Sequence, residues 1–341
     1  MIKDEYDIFE QYRKNEYLII DWQPISSCNF SCNYCHSDNY SGKWEQHGLE
    51  DCIKFVNYIF DNKKPEQKLF ININGGEPTL WKNLDKFCKH VKKLDNDNII
   101  RLITNGTRGI SWWEERVEFI DMVLVSIHMD QSKKEIIAKK FNSLYQKGVD
   151  VGIHVMIDVH RFDSSIDTYK YLYENLEGPS LKFRPLRVDI GSQYLQQYSN
   201  EQNITMKSLK TIDGVKYRKQ QSEMVWRSIN EREMIVQDID KELIIKKENN
   251  WKDWYCNIGI DTIVVDRAGN IKPGSGCYKY TIFGNIKDHD YKIPHVPIKC
   301  KFEYCGCLTD LQTKKTKFIN YGEKYIDADI YSSSYDITTR N

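Results

Sequence analysis

Hydrophobic positions along the first two-thirds of the chain alternate between two periods. Short apolar runs bounded by turn residues occur at LIIDW (18–22), KLFININ (68–74), NIIRLIT (98–104), MVLVSIH (122–128), DVGIHVMI (150–157) and LKFRPLR (181–187). Runs of this length, rich in β-branched residues, predict buried strands. Between them, apolar residues recur every three or four positions. GLEDCIKFVNYIF (48–60) aligns Cys52, Phe55, Val56 and Ile59 on one face, and LWKNLDKFCKHVKKL (80–94) does the same with Leu84, Phe87, Cys88 and Val91. WWEERVEFI (112–120), KKEIIAKKFNSLYQKG (133–148) and IDTYKYLYENL (166–176) complete the predicted helices. The alternation predicts an α/β fold of parallel β/α units, with functional groups at the C-terminal ends of the strands.

Six such units are fewer than a closed eight-stranded barrel needs, so residues 1–187 are expected to form a partial (β/α)6 TIM-like barrel. The pattern changes after Arg187. Residues 188–250 are polar and read as a bridging, partly helical segment, with QQSEMVWRSINEREMIVQDIDKEL as its helical stretch. Residues 251–325 are cysteine-rich with short strands, and DTIVVDRAGNIKPG reads as a hairpin turning at Ala268-Gly269. Residues 326–341 read as a C-terminal tail.

Composition narrows the class. With 29% charged and 40% hydrophobic residues the chain is an ordinary globular one. Lys+Arg and Asp+Glu are both 49, so it lacks the electrostatic footprint of a general nucleic-acid binder. The N-terminus has no signal-like apolar region, and no apolar run is long enough to span a bilayer, which points to a cytoplasmic protein with no membrane partner. Disulfides are rare in that compartment, so ten cysteines indicate metal or redox chemistry.

The densest chemistry is CNFSCNYCH, residues 28–36. Its end, Cys32 to His36, spells the C-x-x-C-H of covalent haem attachment. That reading lacks an export signal and leaves Cys28 unexplained. Cys28, Cys32 and Cys35 instead suit a cluster held by three thiolates, with zinc the competing metal. Three thiolates leave one corner of a four-iron cubane open, and His36 could fill it only through an awkward bend. A second group, Cys256, Cys277, Cys300, Cys305 and Cys307, could supply four thiolates either to zinc or to a cluster. Cys52 and Cys88 fall on apolar helix faces and read as core.

The C-x₃-C-x-Tyr-C spacing after the first strand resembles the radical S-adenosylmethionine (radical SAM) enzymes, with Tyr34 at the aromatic position before the third cysteine. Gly75-Gly76-Glu77-Pro78, after the second strand, matches that family's GGEP motif. The glycines would expose backbone to a ligand, and Glu77 could accept from an ammonium. The resemblance implies that Cys28, Cys32 and Cys35 hold a 4Fe-4S cluster whose open iron is chelated by SAM, with Gly75–Pro78 holding the amino group. It also implies SAM contacts from Tyr34, Thr104 and Ser126. His128, Met156 and Arg184 sit at strand ends facing the expected cavity without an assigned role. The C-terminal cysteines resemble the twitch/SPASM extensions that carry auxiliary clusters. Five cysteines suffice for one four-iron cluster, so one of the five is spare and two clusters are expected per chain.

The implied reaction is reductive cleavage of SAM to a 5′-deoxyadenosyl radical, followed by hydrogen abstraction from a substrate C–H bond. Electrons would come from a partner such as flavodoxin or ferredoxin. Only 17 residues precede the first predicted strand, which leaves no room for a winged peptide-recognition domain. The expected outcome is therefore net oxidation of a small polar substrate such as a sugar or amino acid. Alternatives are a maturase acting on a ribosomally made peptide by crosslinking or epimerisation, and a non-catalytic iron–sulfur or zinc scaffold.

Overall fold

The structure, a computed structural model, describes residues 2–11, 16–128, 133–186, 196–213, 224–236, 243, 246–275, 277, 282–306 and 308–318. The expected tail, 326–341, and Cys307 lie outside the described residues. Along the chain run α1 (Ile2–Glu5), β1 (Ile8–Gln11), β2 (Tyr17–Trp22), α2 (Leu49–Asn62), β3 (Lys68–Ile73), α3 (Leu84–Leu94) and β4 (Ile99–Thr104). There follow α4 (Ile110–Glu114), β5 (Met122–Ile127), α5 (Lys134–Gln146), β6 (Asp150–Ile157), α6 (Phe162–Asn175), β7 (Ser180–Pro185) and α7 (Asn200–Ser208). The remaining elements are β8 (Met224–Arg227), β9 (Glu233–Val236), β10 (Tyr255–Cys256), β11 (Thr262–Val265), β12 (Ile271–Lys272), β13 (Ile298–Lys299), α8 (Leu308–Leu311) and β14 (Lys315–Thr316).

Contacts divide the chain into two compact units. One comprises residues 23–47 and 71–217. Its strands are ordered β3–β4–β5–β6–β7, and the pairings from β4 to β7 are parallel. β6 is buried at seven of its eight positions, as expected of a parallel strand covered on both faces. α3 buries Leu84, Phe87, Cys88 and Val91, the stripe its spacing predicts, and leaves its lysines on the other side. The segment after β2 and the C-terminal ends of β3 to β7 carry the residues that form the site.

The other unit comprises residues 1–22, 48–70 and 218–341. In it, β11 runs parallel to β2 and antiparallel to β12. The β11–β12 turn is the expected one: Asp266 Oδ1 accepts from Ala268 N and Asn270 N, and Gly269 supplies φ +86°. α2 buries Cys52, Phe55, Val56 and Ile59. A separate antiparallel sheet has the order β13–β10–β14–β1–β8–β9. It packs on Phe9, Trp226, Trp251 and Trp254, with the Trp226 and Trp251 rings stacked at 5.3 Å and Phe9 against both at 4.7 and 5.0 Å. Such aromatic contacts supply much of the apolar burial of a small sheet.

Two expectations need correction. Residues 224–236, read as part of a helix, form the β8–β9 hairpin. The reason lies in MVWR and EMIV, two short β-prone runs flanking a turn closed by Ser228, which donates from N and accepts at O across residues 228–232. Among the described residues of 188–250, α7 is an α-helix, in which Ser199 and Gln202 form a reciprocal capping box. The run at 18–22, predicted as the first strand, is also preceded by another, since β1 pairs with both β8 and β14. Phe9→Ala should therefore cost about 3–5 kcal/mol, the range for truncating a buried aromatic. A urea melt would show a lower midpoint at unchanged slope; a loss within experimental error would mean the N-terminal strand is not part of that core.

Candidate active site

The site is built where the segment after β2 meets the segment after β3. Gly76 N donates to Ile25 O and Glu77 N to Ser27 O, both at 2.9 Å. This backbone ladder leaves no room for side chains. A Cβ on Gly76 would stand 2.1 Å from Ser27 O and 2.7 Å from Asn39 O, and one on Gly75, at φ +110°, 2.5 Å from Ile25 O. Both glycines also line the cavity described below. The contact that forbids a side chain, however, is with the cysteine loop itself.

Glu77 closes the junction. It is 1% exposed, and a carboxylate so far from water needs hydrogen bonds. Oε1 accepts from Thr79 N (3.1 Å) and Thr104 Oγ1 (2.7 Å), and Oε2 accepts from Asn105 N (2.8 Å). Pro78 opens the short 3₁₀ turn that brings Thr79 N into position. Thr104 also accepts from Gly106 N at 3.0 Å, so its hydroxyl is committed to Glu77 and to the turn. From α5 the buried Lys140 donates to Gly106 O and Arg108 O, and burial pushes it down to about 8. Arg108 in turn donates to Thr79 O at 2.7 Å.

Cys28, Cys32 and Cys35 open onto one cavity of about 500 Å³, together with Gly75–Glu77, Thr104 and Ser126. This volume lies in the range of cofactor pockets. Two sulfurs already receive N–H donors: Phe30 N to Cys28 (3.3 Å) and Asn39 Nδ2 to Cys35 (3.4 Å). Asn105 Nδ2 approaches Cys28 Sγ at 3.7 Å while donating to Asn29 Oδ1 at 2.8 Å. Burial raises Cys28, against the Phe30 N–H, and likewise raises Cys32. Left alone these would be reluctant thiolates; bound metal reverses that preference. His36 is not on the cavity wall: its side chain is 52% exposed and Nδ1 accepts from Asp38 N. No three His, Cys, Asp or Glu side chains among the described residues have the spacing of ligands to a single ion. Three thiols on one cavity wall fit a cubane, which spreads its thiolates over separate irons.

Tyr34 bridges two of these parts. Its hydroxyl pairs with His128 Nδ1 and also reaches the Cys32 thiol, and the two rings stack at 5.8 Å. Burial lowers His128 to about 4, so it is a neutral imidazole at pH 7, and burial raises Tyr34 so that it keeps its proton. Met156 and Arg184, from the ends of β6 and β7, also line the cavity. Sequence reasoning passed over Asn39, Phe30 and Asn105. Only Asn105 left a signal, as the residue after Thr104 in the TNG turn.

A profile of the Radical SAM superfamily matches residues 22–179, the span holding the three cysteines, Gly75–Pro78, Thr104, Ser126 and His128. The chain carries a radical SAM domain. Its relatives include GTP 3′,8-cyclase of Nautilia profundicola, 31% identical over 39% of this chain and 40% of that protein. GTP 3′,8-cyclase of Haemophilus ducreyi is 30% identical over 42% of this chain and 43% of that protein. The chain thus aligns with less than half the length of these relatives. Among solved structures, Streptococcus suis SuiB bound to the precursor peptide SuiA superposes with a TM-score of 0.51 at 14% identity, covering 82% of this chain and 65% of that one. That likeness is one of fold.

In the other unit, Cys256, Cys277, Cys300 and Cys305 share the wall of a second, small cavity of about 20 Å³ with Asp310 and Lys315. Burial raises Cys256 to about 11 and pushes Cys277 and Cys305 higher still. Cys52 and Cys88 are fully buried among apolar side chains, as core residues.

Gly76→Ala, placing a methyl against Ser27 O, should cut iron bound at the first site several-fold while the far-ultraviolet circular dichroism keeps its shape. Unchanged iron would mean the close approach of the two segments does not govern the site.

Proposed function

We propose that this chain is a radical SAM enzyme whose first site is Cys28, Cys32 and Cys35 with SAM held beside them by Gly75–Pro78. The observation that carries the reading is the junction of these two segments in one cavity, with three thiols on its wall and the adjacent His36 turned to solvent. Bound there, the 4Fe-4S cluster would supply the electron that cleaves SAM to methionine and a 5′-deoxyadenosyl radical, which abstracts a substrate hydrogen atom. The protein's own residues have narrower tasks. Phe30 N–H and the Asn39 and Asn105 amides tune the sulfurs by hydrogen bonding. Gly75 and Gly76 keep the cavity wall thin, and Ser126 stands at the end of β5 for polar contact with SAM. Tyr34, fixed by His128, presents a rigid aromatic face. Thr104 acts through Glu77, so its part is to position the loop.

Cys256, Cys277, Cys300 and Cys305, which share one cavity wall, are the set we assign to a second 4Fe-4S cluster. A second redox centre favours net oxidation, since a redox-neutral rearrangement needs none. His128, Met156 and Arg184 provide the mixed apolar and hydrogen-bonding surface suited to a small polar substrate such as a sugar or amino acid. Maturation of a peptide is the second reading, and the precursor peptide bound to the fold-related SuiB keeps it in view. A flavodoxin or ferredoxin would deliver electrons.

Anaerobically reconstituted protein should hold about eight irons, as two four-iron clusters. With dithionite and SAM it should release 5′-deoxyadenosine, quantified by liquid chromatography and mass spectrometry. A Cys28/Cys32/Cys35→Ala variant should keep about half the iron and release none. Continued 5′-deoxyadenosine formation by that variant would overturn the assignment.

A further inference from the structure

The second cysteine cavity contains an unusual wall group. Lys315 is 2% exposed, and it lines the cavity together with four thiols. In the β10–β14 pairing it stands directly opposite Cys256. Its Nζ donates to Asp310 O (2.7 Å), Thr313 O (2.8 Å) and Leu311 O (3.2 Å). Three carbonyl acceptors match the three donors of an ammonium, and the charge also faces the Trp251 ring at 5.0 Å. The same wall carries one charge of opposite sign. Asp310, 1% exposed, accepts at Oδ1 from Ser275 N (3.2 Å), and Gly274 lets that oxygen approach, since a Cβ there would lie 2.5 Å away.

Charges fixed in a water-poor wall act on a neighbouring redox centre far more strongly than charges in solvent. Adding an electron to a cluster makes it more negative. A nearby ammonium therefore favours the reduced form, and a nearby carboxylate favours the oxidised form. Lys315 is also the strongest influence opposing burial at Cys256 and at Cys305, both of which must ionise to bind iron.

We propose that Lys315 and Asp310 set the reduction potential of the cluster held by Cys256, Cys277, Cys300 and Cys305, Lys315 raising it and Asp310 lowering it. This rests on the reading of these cysteines as a cluster site. Both are positioning charges and neither is a ligand. The reaction concerned is a one-electron reduction of the cluster with dithionite as the reductant.

The test uses the full chain with Cys28, Cys32 and Cys35 replaced by alanine, so that only the second site contributes. Anaerobic reconstitution followed by dithionite titration, read by electron paramagnetic resonance, gives the midpoint potential. Lys315→Met should lower it by about tenfold in the reduction equilibrium, ~59 mV for one electron. Asp310→Asn should raise it, and Lys315→Arg should leave it near the parent value. If Lys315→Met fails to retain iron, the direction of the Asp310→Asn shift decides. Potentials unmoved in an iron-loaded Lys315→Met or Asp310→Asn protein would overturn the proposal. A parent protein that takes up zinc or no metal would instead overturn the cluster reading.

Discussion

One buried carboxylate, Glu77, holds the first cysteine site together. Glu77 joins three parts of the site at one residue: the loop after β2 through its own N–H, the turn at Thr79, and the end of β4 through Thr104 and Asn105. Leaving any of those donors unpaired in the interior would cost about 1–3 kcal/mol. The junction is therefore made as a whole or not at all. Asn105, whose backbone is gripped by Glu77, places its side-chain amide beside Cys28, so the carboxylate reaches the first cysteine through one residue.

Rigidity follows from the same contacts. Backbone pressed on backbone at Gly75 and Gly76 cannot shift without breaking the ladder to Ile25 and Ser27. Lys140 anchors the far side of the TNG turn from α5. Cluster chemistry benefits from such stiffness, because hydrogen bonds to sulfur and exclusion of solvent tune the metal. The two cysteine sites use different means: backbone and amide N–H groups at the first, a fixed ammonium and carboxylate at the second.

The strands and helices of the β/α array were legible because parallel strands buried on both faces leave nearly unbroken apolar runs, and amphipathic helices such as α3 leave clean stripes. The three first-site cysteines and the GGEP segment were legible because their spacing is short and local. What escaped was set by tertiary pairing. MVWR and EMIV carry too few residues to declare a hairpin inside a charged stretch, and β1 becomes a strand only by pairing with β8 and β14. The roles of the glycines and of Thr104 were likewise hidden, since only the fold brings Ser27 O against Gly76 and Glu77 against Thr104. Lys315 gave no signal, because nothing in the sequence distinguishes a lysine turned toward thiols from one turned to solvent.

The central claim is that the first cluster has one iron without a side-chain ligand, and that this corner takes SAM. Mössbauer spectroscopy of the ⁵⁷Fe-reconstituted protein, recorded with and without SAM, tests it most directly. The account predicts that SAM changes the isomer shift and quadrupole splitting of a single iron of that cluster and leaves the others unmoved. Four irons indifferent to SAM would contradict it.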